Sequence, residues 1–107
     1  MREQITVTHK DIREGEGNSG LSCAIALAVR RAFKTKNVFV NTCDEDNNDE
    51  LRIVVEKTLY KIIGKDNYNK VTDFISDFDL GYDVEPIEFY IKETQHCGKE
   101  LNQWLIF

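Results

Sequence analysis

A glycine-rich segment that runs directly into an alanine-rich apolar segment is the feature that most constrains the fold. Gly15, Gly17 and Gly20 have the spacing G-x-G-x-x-G, and the apolar segment begins at Leu21. Apolar side chains recur there with the period of an α-helix, at Leu21, Ile25, Ala28, Val29, Ala32 and Phe33. Further alanines widen this stripe, so the pattern predicts a helix over Leu21–Phe33 that is buried on more than one side.

The rest of the chain alternates between strand and helix periods. These periods predict strands at Gln4–Thr8, Val38–Val40 and Ile87–Ile91, a helical turn at His9–Arg13 and a helix at Asn69–Phe78 that Gly81 ends. A capping box of Thr8 and Asp11 supports the turn. Segment Leu51–Ile63 is rich in β-branched residues and has a polar break at Glu56, which favours a hairpin, with one continuous helix as the alternative. The order predicts a single α+β domain: a small, mainly antiparallel sheet with two helices packed on one face.

Composition and charge restrict the classes of function. The chain has 107 residues, with 14 basic and 19 acidic side chains and a formal net charge of −5. Because nucleic-acid affinity comes from clustered Lys and Arg, this balance predicts no nucleic-acid partner, although it is compatible with a locally basic face. The longest apolar run, Ala24–Val29, is too short to span a bilayer, and no apolar stretch follows Met1, so we expect neither a membrane segment nor a secretory signal. Three cysteines, an odd number, favour free thiols and a cytoplasmic protein.

The start of the long helix is the candidate ligand site. Backbone N–H groups at a helix start bind anions, and glycines let a ligand approach closely. A dinucleotide-binding fingerprint is excluded, because seven residues separate Val7 from Gly15 and because Glu14 and Glu16 place negative charge there. The predicted ligand-binding residues are Asn18, Ser19, Gly20, Ser22, Cys23, Arg30 and Arg31. The alternative is a loop that only connects two elements.

The distance of Arg30 and Arg31 from the glycine loop limits how they can contribute to this site. They lie about ten residues beyond the glycine loop, which is roughly 15 Å along a helix axis. Within one subunit they are therefore too far away to share one phosphate with the loop. A long ligand, or a pocket between two subunits, would bring the two groups together, and we expect a homo-oligomer. The apolar tail, residues 100–107, is expected to dock on the domain or on another subunit.

Three other patterns of the sequence partly match known kinds of site. Cys23 in the first turn of a helix is the candidate nucleophile of an enzyme, although no base is visible beside it. The start of the acidic segment Asp44–Glu50 matches the first ligand positions of an EF-hand, but Asp49 stands where glycine is required, so a solvated surface loop is expected. His96 and Cys97 are adjacent, which does not match zinc-finger spacing. We therefore expect no metal and no cofactor.

The chain resembles a group of small uncharacterised proteins from phages and bacterial mobile elements. The shared pattern is T-V-T, H-x-x-I-x-x-G, C-x-I-A-x-A and F-D-x-G-x-x-V-x-P-x-x-F, which covers roughly residues 5–91. It is carried by Thr6-Val7-Thr8, His9, Ile12, Gly15, Cys23, Ile25, Ala26, Ala28, Phe78-Asp79-Leu80-Gly81, Val84, Pro86 and Phe89. The sequence departs from the pattern at Ala24, where the group has proline. No known activity and no functional residue carries over.

This resemblance implies a small accessory protein, encoded by a phage and present in the host cytoplasm. Small acidic accessory proteins of phages often act by binding, either to a host defence protein or to a signalling nucleotide, and this association rather than any residue of the chain suggests the function. The first hypothesis is a non-enzymatic protein that sequesters a phosphate-bearing, nucleotide-like signalling molecule of host defence. The alternative is a protein–protein inhibitor of a host defence protein, acting through the acidic surface around Asp44–Glu50. A small hydrolase is the third hypothesis.

Overall fold

The structure is a computed structural model that describes residues 2–45 and 48–94, with residues 42–45 and 48–50 described by their backbone only. In chain order its elements are β1 (Arg2–Thr6), α1 (His9–Glu14), α2 (Ala24–Phe33), β2 (Val38–Glu45), β3 (Asn48–Val55), β4 (Thr58–Ile62), α3 (Lys65–Asp79) and β5 (Glu88–Glu93). Within the described residues, five strands form one antiparallel sheet accompanied by three helices. The predicted α+β class is confirmed, and the turn predicted at His9–Arg13 is the short helix α1.

The sheet has the strand order β1-β5-β4-β3-β2, and each neighbouring pair is antiparallel. Val55 pairs with Thr58 across a turn in which Glu56 has a left-handed backbone, with φ of 56°. The predicted hairpin is therefore confirmed, and the alternative of one helix over this segment is wrong.

The acidic segment was expected to be a solvated loop, and this expectation is wrong for most of its length. Strand β2 continues to Glu45 and β3 starts at Asn48, so that Asp44 pairs with Asp49 and Glu45 with Asn48. Asp and Asn have low strand propensity, but pairing between two adjacent strands outweighs that preference. Residues 46 and 47 lie outside the described part of the chain.

The hydrophobic core lies between the two longer helices and one face of the sheet. Buried side chains of α2, such as Ile25 and Val29, and of α3, such as Val71, belong to one cluster with the sheet. The strand residues of this cluster include Ile5, Val38, Ile53, Ile62, Phe89 and Ile91. Both α2 and α3 therefore cover the same face, as predicted. None of the helices in the described residues is long and apolar enough to cross a membrane.

The two longer helices begin at different residues from those predicted. Helix α2 starts at Ala24 rather than Leu21, and the Leu21 side chain, predicted to face the core, is 41% exposed. Hydrogen bonds to Ser19 hold the preceding residues in turns, with Ser19 Oγ accepting from the Ser22 N–H and Ser19 O from the Cys23 N–H. Helix α3 starts at Lys65, one turn before the predicted Asn69. The sequence pattern missed this first turn because its residues are polar and form no apolar stripe.

Candidate functional site

Two glycines of the G-x-G-x-x-G loop lie where a side chain would collide with backbone. A Cβ atom at Gly15 would come within 2.6 Å of the Ala24 nitrogen, at the start of α2. At Gly20 it would collide with the Val40 carbonyl oxygen and come within 2.9 Å of the Phe39 ring. The Val40 N–H donates to Gly20 O at 2.8 Å, which joins the loop to β2. Close packing thus accounts for glycine at these two positions without a ligand.

The polar groups of the loop are largely used within the protein. The Asn18 N–H donates to Asp79 Oδ1 at 2.8 Å, and the Asn18 side-chain amide donates to Asp79 O at 3.3 Å. A shallow cleft of about 270 Å³ brings together the predicted residues Asn18, Ser19, Gly20 and Cys23, but Asp79 also lines it. A carboxylate beside these N–H groups opposes an anion there. The loop site stays a prediction, and the geometry favours the alternative of a connection.

Cys23 is the N-cap residue of α2. Its side chain is 7% exposed, and its Sγ accepts from the Ala26 N–H at 3.4 Å. Burial raises the pKa of the Cys23 thiol, although hydrogen bonds from neighbouring N–H groups act in the opposite direction. A nucleophilic cysteine needs a lowered pKa and access to substrate. Cys23 is therefore a capping thiol that is protonated at neutral pH.

The structure places the two predicted arginines differently from each other. Arg30 Nη2 donates to Leu21 O at 2.5 Å, so this guanidinium reaches back to the end of the loop. The inference that Arg30 and the loop are too far apart is wrong, because the helix starts three residues later than predicted and side chains on a helix point towards its N-terminus. Arg31 instead binds both carboxylate oxygens of Asp11, at 2.7 and 2.9 Å, and also Thr6 O.

Asp11 joins the predicted capping box to this ion pair. Its carboxylate accepts from the Thr8 N–H and its own N–H donates to Thr8 Oγ1, which confirms the capping box. Burial acts to raise the pKa of Asp11, but hydrogen bonds from Arg31 and Thr8 outweigh it and hold the pKa below its usual range. The side chain of Asp11 is 5% exposed. Arg31 is therefore a structural residue that neutralises a buried carboxylate.

Around these arginines lies the α1–α2 cleft, a groove of about 490 Å³. It is lined by Lys10, Asp11, Glu14, Leu27, Arg30, Arg31, Lys34, Thr35 and Lys36. Lys34 and Lys36 follow the end of α2, where the negative end of the helix dipole favours cations. Two carboxylates and the negative helix end thus offset about half of the positive charge that five cations bring to this groove.

A second basic cleft lies where β4 leaves the sheet. Strands β3 and β4 pair only as far as Arg52 and Lys61, after which the chain turns at Gly64, with φ of 82°, into α3. The resulting space, the α3 cleft, measures about 420 Å³ and is lined by Arg52, Lys61, Ile62, Ile63, Gly64, Lys65 and Tyr68. This volume falls within the range of small-molecule sites.

The electrostatics of the α3 cleft favour an anion. Arg52 is 4% exposed, whereas Lys61 and Lys65 are exposed at the rim, and no carboxylate is among the described residues that line the cleft. Helix α3 has no side-chain cap, and its first intrahelical bond is from the Tyr68 N–H to Gly64 O. The N–H groups of residues 65–67 precede that bond, and they carry the positive end of the dipole of a 15-residue helix.

Sequence reasoning missed this cleft. One signal was present: a two-residue hairpin turn that places Val55 opposite Thr58 also places Arg52 opposite Lys61. The position of α3 against the end of β3, where Tyr68 Oη accepts from the Leu51 N–H at 3.0 Å, could not be read from local patterns.

Comparison with known proteins assigns no family. No family model matches the chain, and neither a curated protein nor a solved structure matches it. In the described residues, no group of three or more His, Cys, Asp or Glu side chains is placed to hold a metal ion. His96, Cys97 and the tail of residues 100–107 lie outside the described part, as do the side chains of the partial EF-hand match.

Proposed function

We propose that the protein is a non-enzymatic binding protein that holds a phosphate-bearing small molecule in the α3 cleft. One observation carries the proposal: a buried guanidinium, two ammonium groups and an uncapped helix start line one cleft, without a described carboxylate. In a chain of net charge −5, such a concentration of positive charge marks a local preference for anions. The ligand class is the one that the resemblance to phage proteins implies, a nucleotide-like signalling molecule, and the site differs from the predicted loop.

The chemistry of the lining suits phosphate in particular. A guanidinium and backbone N–H groups both donate to phosphate oxygens, and Lys acts as an additional point charge. Partial burial lowers the local dielectric constant and strengthens these contacts relative to a fully exposed pair. Ile62 and Ile63 provide an apolar wall beside the charges, which suits a ligand with an organic part. The described lining offers three cations but no carboxylate to act as a general base, which favours holding over cleavage.

The other hypotheses stay predictions. A protein–protein inhibitor would use the acidic segment Asp44–Glu50, whose side chains lie outside the described part of the chain. The expected homo-oligomer and the cytoplasmic location likewise stay predictions.

Calorimetric titration with pyrophosphate, ATP and cyclic dinucleotides tests the proposal. We expect at least one of these ligands to bind, and we expect the double variant Lys61→Gln/Lys65→Gln to bind it roughly tenfold more weakly or worse, because two charge-assisted contacts are lost. The matched control Lys34→Gln/Lys36→Gln removes the same charge from the α1–α2 cleft and should bind like the wild type. Ser19→Ala tests the predicted loop in the same way and should also leave binding unchanged.

The outcomes separate the hypotheses. Recovery of intact ligand after heat denaturation of the complex supports sequestration, whereas conversion of the ligand to a product supports the hydrolase. Loss of affinity in Lys34→Gln/Lys36→Gln or in Ser19→Ala, with no change in Lys61→Gln/Lys65→Gln, would contradict the α3 cleft. Absence of binding to all phosphate ligands, together with salt-sensitive binding to a basic host protein, would favour the inhibitor.

A further inference from the structure

The sheet register lines up four cations from four strands. Arg52 of β3 is opposite Lys61 of β4, Lys61 is opposite Lys92 of β5, and Lys92 is opposite Arg2 of β1. Because directly paired residues share a face, these four residues, here called the cation row, lie side by side across the sheet. Arg52, Lys61 and Lys92 are next in sequence to the core residues Ile53, Ile62 and Ile91, and neighbouring residues of a strand point to opposite faces of the sheet. The row therefore lies on the face opposite α2 and α3.

The pairing of Lys92 with Lys61 on one side and with Arg2 on the other costs stability when nothing compensates it. Like charges directly opposite each other on neighbouring strands are destabilising. Within residues 2–45 and 48–94, neither the Lys61 nor the Lys92 ammonium makes an ion pair. The Arg2 guanidinium lies over the Tyr90 ring, 5.5 Å from its centroid, which fixes its position and leaves its charge in place. Glu88 of the same face is four residues along β5 from Lys92 and accepts from the Gln4 side chain.

The cation row is continuous with the α3 cleft, because Arg52 and Lys61 belong to both. Strands in a sheet are about 4.8 Å apart, so the row extends roughly 14 Å from Arg52 to Arg2. A single phosphate in the cleft would leave Lys92 and Arg2 unused. A linear chain of several phosphates would contact the cations one after another from the cleft outwards.

We propose that the ligand carries a linear polyphosphate chain, whose one end lies in the α3 cleft and whose other end lies on Lys92 and Arg2. This inference rests on the proposed function and narrows its ligand class. The shared chemistry is consecutive phosphates, which either an inorganic polyphosphate or a nucleoside polyphosphate supplies. A long nucleic acid is disfavoured, because the row holds only four cations in a chain of net charge −5.

The test is a comparison of chain lengths at fixed ionic strength. Calorimetry with pyrophosphate, linear tetraphosphate and adenosine 5′-tetraphosphate should show affinity rising roughly tenfold or more from the shortest to the longer chains, as two further charged contacts form. The variant Arg2→Gln/Lys92→Gln should remove that rise and leave pyrophosphate binding unchanged. The control Lys10→Gln/Lys34→Gln, with the same change of charge elsewhere, should preserve the rise. Preference for adenosine 5′-tetraphosphate over inorganic tetraphosphate identifies the nucleoside form, and equal affinity identifies the inorganic chain.

Failure of this inference is distinct from failure of the proposed function. Equal affinity for short and long chains would overturn the inference, and so would a rise of affinity with chain length that persists in Arg2→Gln/Lys92→Gln. Binding of pyrophosphate in the same experiment would still support the α3 cleft as a phosphate site. Tighter binding of a short oligothymidylate or of polyglutamate than of tetraphosphate would also overturn it. Failure of every phosphate ligand to bind would overturn both.

Discussion

The starts of α2 and α3 are two helix N-termini in one small domain, and they differ in how their charge is used. At α2, Cys23 caps the helix, and Asp79 accepts from the loop just before it. At α3, Gly64 provides no side-chain cap, and Arg52 and Lys65 lie nearby. The first helix start is therefore capped by a side chain of the protein itself, whereas the second has no side-chain cap and lies beside cations, with Asp66 in its first turn.

This difference shows why a glycine motif is a weak indicator of an anion site. Glycine lets a ligand approach backbone N–H groups, but it equally lets another segment of the same chain approach. Gly20 does the second, because β2 packs where a side chain would lie. The charges around a helix start, rather than the glycines before it, distinguish the two cases.

The largest expected change in stability follows from removing Arg31, which the sequence pattern placed in the ligand site at the start of α2. Arg31→Ala should lower the free energy of unfolding by about 2 to 3 kcal/mol, because Asp11 stays buried without its charged partner. Urea unfolding measures this effect, and Arg13→Ala, an exposed arginine of α1, is the matched control. Pyrophosphate affinity should not change in either variant. A stable Arg31→Ala protein that has lost its phosphate affinity would show that phosphate binds near α2 rather than at the start of α3.

The same ion pair predicts a pH dependence. The pKa of Asp11 is lowered in the folded protein, so its contribution to stability is present above the unfolded value, about 3.9, and is lost as the pH falls through the lower folded value. Asp11→Asn should therefore be less stable than the wild type at neutral pH, and this difference should shrink as the pH falls below about 3.9. A difference that is constant from pH 7 to pH 2.5 would contradict this role.

A smaller effect is expected at the glycine loop. Gly20→Ala should cost about 2 kcal/mol, because the new methyl group meets the Val40 carbonyl and the Phe39 ring. Gly17→Ala is the control, since a Cβ there is 3.4 Å from its nearest neighbour, and it should change stability by less than about 0.5 kcal/mol. Thermal unfolding of both variants measures the difference. Equal stability of the two variants would show that β2 does not require glycine at this position.

Much of the fold followed from local patterns, because those patterns report local physics. The capping box at Thr8, the period of the α2 residues and the turn at Glu56 each depend on residues close in sequence. The end of β2 at Glu45 did not follow, because pairing with β3 overrides the low strand propensity of acidic residues. The cation row depends on β5 pairing with both β4 and β1, and the α3 cleft depends on the packing of α3 against the end of β3; no local pattern encodes either contact.

The smallest expected change in stability is at the start of α3, where stability and pyrophosphate affinity should change in opposite directions. Lys65→Glu should stabilise the protein by about 0.5 kcal/mol, because a negative charge at a helix start is favourable. The same change should weaken pyrophosphate binding roughly tenfold or more, because it reverses a charge in the cleft. Lys57→Glu, in the exposed turn between β3 and β4, is the control with unchanged affinity. Thermal unfolding and calorimetry of the same samples measure both effects, and unchanged affinity in Lys65→Glu would contradict the site.

Amide chemical shifts during a pyrophosphate titration compare the two helix starts in one experiment. The account predicts the largest shifts at residues 65–67, with accompanying shifts at Arg52 and Lys61, and small shifts throughout the loop of residues 18–23. The largest shifts in that loop, with residues 65–67 unmoved, would contradict it.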